Sequence, residues 1–201
     1  YNFRYFTFLG DGLFKNQALR KDWNIQERAL INRDLLLNQV GAFYGLKNIS
    51  GFEPLRTVKQ SQIIDKLGLD LDLLSIMNVK YILSIYPLSD SRLKPVPLPP
   101  EEKRLVPIYL YENERALPLA HFLDFKDTTK KILNLDYKNG RVEILTETEV
   151  GDWLIFSQSH VPGWVALIDG LAVPIYTANY LFQAVYVSTG NHRLEFIYTS
   201  Y

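Results

Sequence analysis

The second half of the chain alternates apolar and polar residues with a period of two, and turn dipeptides interrupt this alternation at hairpin spacing. Asn139-Gly140 separates KILNLDYK from RVEILTE, and Asp169-Gly170 separates WVALI from LAVPI. Both dipeptides tolerate the positive φ angles that a tight antiparallel turn requires. Gly190-Asn191 is predicted to close a third hairpin. Residues 108–201 are therefore predicted to form an all-β antiparallel sandwich that is jelly-roll-like.

The last strand shows the alternation most clearly. Leu194, Phe196 and Tyr198 alternate with Arg193 and Glu195. This pattern predicts that the first three side chains are buried and that the two charged ones face water.

A proline-rich segment, LKPVPLPPEEKRLVP at 93–107, holds five of the ten prolines in the chain. Proline lacks the backbone N–H that an interior strand needs, and it interrupts helices. We therefore place a linker at 93–107, between an α+β part at 1–92 and the β-sandwich at 108–201.

The first part is predicted to mix strands with short helices. Segments 1–9 and 78–85 are rich in aromatic and β-branched residues, which is typical of strands. KQSQIIDKLG at 59–68 is predicted to be a short helix with Gly68 after its last turn. Asp70 is predicted to cap a further helix, whose inward residues would be Leu71, Leu74 and Met77.

Four apolar residues at positions i, i+4, i+7 and i+8 would lie in one stripe along one side of an α-helix. This spacing predicts another helix, which ends near Gly45. The four residues of this stripe are Leu36, Val40, Phe43 and Tyr44.

Composition excludes several classes of function. Twenty-two basic residues balance twenty-two acidic ones, so nucleic-acid binding would lack its usual electrostatic attraction. Cysteine is absent, which excludes disulfides and thiolate metal sites. The longest apolar runs, such as VALI at 165–168, fall far short of the roughly 20 residues that cross a bilayer. The chain starts at Tyr1 without an initiator Met or a leader, so we expect a portion of a longer protein or a processed product.

No motif for catalysis or for a cofactor stands out. His121, His160 and His192 lack the short spacings of metal ligands, so no metal or other cofactor is predicted. Asp70 and Asp72 resemble a carboxylate pair, but acidic residues in a first helical turn more often complement the helix dipole. A free-standing hydrolase would need a clustered acid, base and nucleophile, and none can be assembled from the sequence.

A set of aromatic residues in the second half leaves two interpretations open. Core packing is the favoured one, because aromatics at a period of two usually fill a sandwich interior. The alternative is a stacking platform for sugar rings. The set comprises Trp153, Trp164, Tyr176, Tyr180, Phe182 and Tyr186.

Two long segments, HVPGWVALIDG at 160–170 and VPIYTANYLFQAVYVSTGNHRLEFIY at 173–198, resemble the C-terminal region of the YfhO-type bacterial membrane protein family. GLKNISGFEPL at 45–55, NVKYIL at 78–83 and ALPLAHFL at 116–123 follow the same order as in that family. The residues that fit its recurring theme are Pro162, Gly163, Trp164, Asp169, Gly170, Asn179, Gly190 and His192.

The sequence departs from this family at two positions. Phe52 stands where a Tyr is common, and Leu119 stands where an Arg often follows Leu-Pro. The second departure could remove a polar contact.

The resemblance implies a many-helix protein of the cell membrane, similar to C-type glycosyltransferases that use lipid-linked sugars, with this portion on the extracytoplasmic side. Its expected partners are the membrane-embedded part of the same polypeptide and an envelope glycan or lipid-linked sugar. The acidic catalytic residues of such enzymes lie in loops between membrane helices, so this portion is expected to be inactive alone.

Two hypotheses about function follow. The first is an accessory domain that helps to shape the acceptor site of a glycosyl-transferring membrane protein during modification of cell-envelope glycans. The second is an independent carbohydrate-binding module. In either case the expected binding surface is the loop around His160 and Trp164, with Asn179 and Tyr180 nearby.

Overall fold

The chain is mostly β in this computed structural model, which describes residues 3–9, 23–37, 40–49, 68–100, 104–138 and 140–199. The strands lie in three sheets, and most of their pairings are antiparallel. The chain divides into two compact units, and the boundary between them follows Leu117. The division therefore falls after the proline-rich segment 93–107 and not within it.

The first unit, residues 1–117, contains one five-stranded sheet in the order β2-β1-β3-β5-β4. The strands β1, β2 and β3 run parallel to one another, and β5 and β4 add antiparallel pairs. The five strands are β1 (Arg4–Phe8), β2 (Lys47–Asn48), β3 (Val79–Ser84), β4 (Leu93–Val96) and β5 (Tyr109–Asn113). The predicted strands at 1–9 and 78–85 are confirmed.

Strand β4 covers the first four residues of the predicted linker, and these residues are thus part of the first sheet. Pro95 is opposite Tyr111 on β5, and β4 is the edge of the sheet. An edge strand tolerates proline because one side of its backbone has no neighbour to bond.

The described helices of this unit are short. They are α1 (Ile25–Asp34), a 3₁₀-helix (Val40–Tyr44) and α2 (Leu71–Ile76). The predicted cap of α2 is confirmed, because the Asp70 carboxylate accepts a hydrogen bond from the backbone N–H of Leu73 at 2.9 Å. Leu71, Leu74 and Met77 are buried as predicted. The predicted helix at 59–67 lies outside the described residues.

The predicted helical stripe through Phe43 and Tyr44 is wrong. Phe43 is 90% exposed and Tyr44 is 60% exposed, in the 3₁₀-helix. A 3₁₀-helix has three residues per turn, so the spacing expected of an α-helix no longer places these side chains on one buried face. Leu36 has a φ of 50° and interrupts helical geometry just after α1.

The second unit, residues 118–201, contains two sheets with the orders β11-β10-β14-β8-β7 and β12-β13-β9-β6. All of their pairings are antiparallel. The strands are β6 (Ala120–Phe122), β7 (Lys130–Lys138), β8 (Arg141–Thr148), β9 (Asp152–Ser159), β10 (Trp164–Ile168), β11 (Leu171–Val173), β12 (Tyr176–Ala178), β13 (Phe182–Val187) and β14 (Gly190–Tyr198).

Both sheets contribute to one hydrophobic core. Phe156 on β9 and Phe196 on β14 are fully buried, with ring centroids 5.0 Å apart. Leu119, where the resembling family often has Arg, is also buried in this core. Burial of large apolar side chains from both sheets supplies the main stabilisation of this unit, since each contributes roughly 1.5–3 kcal/mol.

Two of the three predicted hairpins are confirmed. Gly140 follows β7 with a φ of 76°, and Asp169 and Gly170 join β10 to β11 with φ angles of 52° and 82°. The third prediction is wrong, because β13 and β14 belong to different sheets. Gly190 has a φ of 126°, and it opens β14 at the point where the chain passes from one sheet to the other.

The alternation on β14 holds only in part. Leu194 and Phe196 are buried, but Tyr198 is 45% exposed. Glu195 is buried although it was expected to face water, because Arg141 and Arg193 both form ion pairs with its carboxylate. A charged group can be buried when its charge is paired in this way.

Candidate functional site: an exposed aromatic cluster

Three aromatic side chains meet on the face of the four-stranded sheet that lies opposite the core. Leu154 and Phe156 of β9 belong to the core, so Trp153 projects from the other face. Tyr186 on β13 is directly opposite Trp153. Tyr176 on β12 is opposite Ala184, which shares the face of Tyr186. We call Trp153, Tyr176 and Tyr186 the Trp153 cluster.

The rings of the Trp153 cluster touch edge to face. The centroid of Trp153 lies 5.0 Å from that of Tyr176 and 5.6 Å from that of Tyr186, with interplanar angles of 83° and 73°. Such T-shaped pairs are favourable because the positive edge of one ring meets the negative face of another. Tyr176 and Tyr186 nevertheless remain 52% and 54% exposed. The cluster therefore presents aromatic surface to the surroundings while its rings fix one another.

Leu123 extends the apolar surface next to the cluster. Its backbone N–H donates to the carbonyl oxygen of Trp153 at 2.8 Å, just beyond the end of β6. Its side chain is 57% exposed. Exposed apolar residues that lie together mark an interaction surface more often than exposed apolar residues that are scattered singly.

The tyrosine hydroxyls are available to a ligand. Neither the Tyr176 nor the Tyr186 hydroxyl forms a hydrogen bond to a side chain or to the backbone within the described part of the chain. Each hydroxyl can donate one hydrogen bond and accept others. The cluster thus combines flat apolar rings with polar groups at their rims.

A glycine makes room for Tyr186. A Cβ atom on Gly151 would lie 2.5 Å from the Tyr186 hydroxyl oxygen and 3.1 Å from the carbonyl oxygen of Val187. Any larger residue would displace the ring, because real Cβ atoms do not approach another atom so closely. Gly151 precedes β9 and is therefore part of the cluster's support.

An ion-pair network holds the backbone next to Trp153, near the start of β9. The Lys130 ammonium lies 3.0 Å from Asp152 Oδ2 and 3.1 Å from Asp127 Oδ2. The backbone N–H of Trp153 donates to Asp152 Oδ1 at 2.7 Å. Burial acts to raise the pKa of Asp152, but the hydrogen bonds from Lys130, Asp124 and Trp153 outweigh it and lower the pKa. Asp152 is thus held as a carboxylate next to the cluster.

The residues predicted for the binding loop are brought together only in part. His160 Nδ1 lies 2.8 Å from Thr177 Oγ1, and its backbone N–H donates to the Leu181 carbonyl at 2.7 Å. Asn179 and Tyr180 lie within that same connection between β12 and β13, with φ angles of 47° and 71°. Tyr180 is 76% exposed. This loop remains a predicted binding surface.

Trp164 is the exception among these residues. It lies on β10 in the other sheet, where it is partly buried against the core and packs against Phe156 at 6.2 Å and Tyr198 at 5.3 Å. The aromatic set singled out in the sequence therefore divides: Phe182 and most of Trp164 are buried, Tyr180 is a loop residue, and three residues form the Trp153 cluster.

A hydrogen-bonded chain of three side chains lies elsewhere in the second unit. His192 Nδ1 is 2.7 Å from Asp169 Oδ2, and His192 Nε2 is 3.0 Å from Ser188 Oγ. The N–H of Arg193 donates to Asp169 Oδ1 at 2.9 Å. This backbone hydrogen bond, followed by the contact with His192, lowers the pKa of Asp169. We call Ser188, His192 and Asp169 the Ser188 triad.

The sequence does not reveal the Ser188 triad. Asp169 and His192 are 23 positions apart and meet only because β10 pairs with β14. The one local signal is the spacing of Ser188 and His192 on either side of Gly190. A Cβ at Gly190 would lie 3.4 Å from His192 Nε2, in a backbone conformation that disfavours other residues.

Metal ligands are not clustered in the described residues: no group of three or more His, Asp or Glu side chains there is placed to hold an ion. In the same part of the chain, no helix has the length and apolar character needed to cross a bilayer. The sequence matches no known protein family, no curated protein and no solved structure.

Proposed function

We propose that residues 118–201 form a glycan-binding module and that the Trp153 cluster is its binding surface. The observation that carries this proposal is the edge-to-face packing of Trp153 with two half-exposed tyrosines on the sheet face away from the core. A pyranose ring presents C–H groups that suit a flat aromatic face, and its hydroxyls suit the rims of tyrosines.

The low entropic cost of ordering the binding site supports this assignment. Trp153 and Tyr186 occupy opposed positions of paired strands, and Tyr176 sits on the next strand. Side chains on regular strands lose less freedom on binding than side chains on loops, because their backbone is already fixed. Tyr and Trp also provide much contact area for few rotatable bonds.

The scaffold in this proposal is a β-sandwich. The five-stranded and four-stranded sheets share one core that includes Phe156, Phe196, Leu154 and Leu194. In a sandwich, one face of each sheet is buried and the other is free to carry a binding site. The Trp153 cluster lies on the face away from this core, where Tyr176 and Tyr186 are half-exposed although the neighbouring Ile155 and Ala184 are buried.

The setting of the module rests on the resemblance described from the sequence. We propose that the chain is an extracytoplasmic part of a polytopic bacterial membrane protein linked to glycosyl transfer from lipid-linked sugars. In that setting the membrane-embedded part carries out the transfer, and the module holds the envelope glycan or the lipid-linked sugar beside it.

Titration of the 201-residue chain with soluble oligosaccharides tests the binding proposal. Chitohexaose, maltohexaose and mannohexaose serve as probes, and isothermal calorimetry measures affinity. Trp153→Ala should weaken binding of the accepted oligosaccharide about tenfold or more, as expected for a central aromatic anchor.

The matched control replaces an exposed tyrosine outside the cluster. Tyr180→Ala should leave the affinity unchanged, although Tyr180 is more exposed than Tyr176 or Tyr186. Equal loss of affinity in Trp153→Ala and Tyr180→Ala would place the site in the β12–β13 loop instead. Absence of binding to all three probes would contradict the proposal for these glycan classes.

A further inference from the structure

The Ser188 triad has the geometry of an activated nucleophile. A hydroxyl, an imidazole and a carboxylate are linked in order, with donor–acceptor distances of 3.0 Å and 2.7 Å. Serine becomes nucleophilic when a base lies within hydrogen-bond reach and a third group orients that base. The constellation is recognised by geometry and not by sequence order.

The protonation pattern of the triad favours proton transfer from serine. An ionised Asp169 can only accept a hydrogen bond, so His192 Nδ1 must carry a proton. In the neutral imidazole, Nε2 is then an acceptor and can take the Ser188 proton. The carbonyl oxygen of Thr189, 3.3 Å from Nε2, can accept a hydrogen bond once Nε2 becomes protonated.

The surroundings of Ser188 leave space and donors for a substrate. Ser188 and Thr189 are both exposed, between the end of β13 and the start of β14. In the described part of the chain, the backbone N–H groups of Ser188 and Thr189 donate to no other backbone group. Free N–H groups beside a nucleophile are the usual donors to the oxyanion that forms during acyl transfer.

We propose that Ser188 is a nucleophile that cleaves acyl esters of alcohols. Ser188 Oγ would form a bond to the ester carbonyl carbon while His192 Nε2 takes the hydroxyl proton. The bond from carbonyl carbon to alkoxide oxygen then breaks, and the alcohol leaves with the proton from His192. Water attacks the acyl-serine by the same route and releases the carboxylic acid.

The triad also has a structural effect, since it links the β10–β11 turn to the start of β14. A purely structural triad would not make Ser188 reactive, so reactivity separates the two roles. The absence of cysteine allows a second, independent measurement with a single introduced thiol.

The first experiment treats the 201-residue chain with a biotinylated fluorophosphonate and locates the label by peptide mass spectrometry. Ser188 Oγ would bond to phosphorus, fluoride would leave, and His192 would pass the proton to solvent. We expect label on Ser188, none in Ser188→Ala, and unchanged label in Ser91→Ala, at an exposed serine of the first unit. His192→Gln should slow labelling about 100-fold, the contribution typical of a general base.

The second experiment compares Ser188→Cys with Thr189→Cys in alkylation by iodoacetamide. The imidazole beside position 188 favours the thiolate, so Ser188→Cys should react about tenfold faster. This comparison does not depend on the folding of the His192 variant. Absence of fluorophosphonate label on Ser188, or equal alkylation of the two thiols, would overturn the proposal.

Discussion

Tyr186 lies directly opposite Trp153 across the β9–β13 ladder, and the two ring centroids are 5.6 Å apart. Opposed residues on paired antiparallel strands have their Cβ atoms about 4.5–5.5 Å apart. The ladder therefore holds both rings in place without help from a ligand, and the surface they form exists before anything binds to it.

The support of Tyr186 by Gly151 can be tested by substitution. Gly151→Ala places a Cβ against the tyrosine hydroxyl and should move the ring. We expect a loss of about 1 kcal/mol in the free energy of unfolding, typical of modest overpacking, and weaker oligosaccharide binding. Urea denaturation and calorimetric titration measure the two effects.

Gly170→Ala is the matched control for this substitution. Gly170 has a φ of 82°, and no atom lies within 4 Å of its ideal Cβ. Its replacement should cost about 1–2 kcal/mol through backbone strain alone and leave binding unchanged. If Gly151→Ala bound oligosaccharide as tightly as the native chain does, Tyr186 would not belong to the site.

Because Phe156 lies in the shared core of the second unit, its substitution should strongly lower the free energy of unfolding. This ring is fully buried and contacts the rings of Phe196 and Trp164. Phe156→Ala should lower the free energy of unfolding by about 3–5 kcal/mol, because a cavity remains where the ring was. Phe125→Ala, at a ring that is 55% exposed, should change it by about 0.5 kcal/mol or less. Urea denaturation of both variants measures the difference, and similar values for the two would contradict the described core.

The buried imidazole of His121 should make the free energy of unfolding depend on pH. Burial lowers the pKa of its imidazole below the ordinary value near 6.5, although the hydrogen bond to the Pro118 carbonyl acts in the other direction. The unfolded chain therefore binds more protons than the folded chain as pH falls below about 6.5. The stability contributed by neutral His121 is complete above that pH and is lost as pH falls through the lower pKa of the folded state.

His121→Phe should flatten this loss, and His160→Gln, at an exposed position, should not. Thermal melting of each variant between about pH 7 and pH 5 makes the comparison. A native chain whose melting temperature fell no faster than that of His121→Phe in this range would show that His121 is not the group responsible.

Local patterns in the sequence correctly predicted the turns and the helix cap, because interactions between nearby residues determine them. Gly140 and the Asp169-Gly170 turn need positive φ angles, and Asp70 satisfies an N–H group three residues away. Each of these effects acts within a few residues. The alternation of Leu194 and Phe196 likewise follows from the pleat of one strand.

Features that depend on distant partners could not be predicted in the same way. Pro95 appeared to exclude a strand, but β4 is an edge strand that tolerates it. Glu195 appeared to be solvent-exposed, but Arg141 and Arg193 allow its burial. Gly190 has the backbone freedom of a hairpin glycine, and only the pairing of β14 with β8 shows that it connects two sheets.

The candidate site illustrates the same limit. Trp153, Tyr176 and Tyr186 were all named from the sequence, but so were Trp164 and Phe182, which the structure buries to a large extent. The order of strands in the sheet decides which aromatics share an exposed face, and alternation alone does not give that order. The Ser188 triad had only the Ser188–His192 spacing as a local signal, because Asp169 joins His192 from the turn that follows β10.

The most direct test of the glycan-binding account is the detection of nuclear Overhauser effects between a bound oligosaccharide and the Trp153 indole. The 201-residue chain, with the ¹³C-labelled aromatic rings assigned, is mixed with the oligosaccharide that calorimetry identifies. The account predicts contacts from sugar C–H protons to Trp153, Tyr176 and Tyr186 together. Contacts confined to the rings of Trp164 or Tyr180, with none to Trp153, would contradict it.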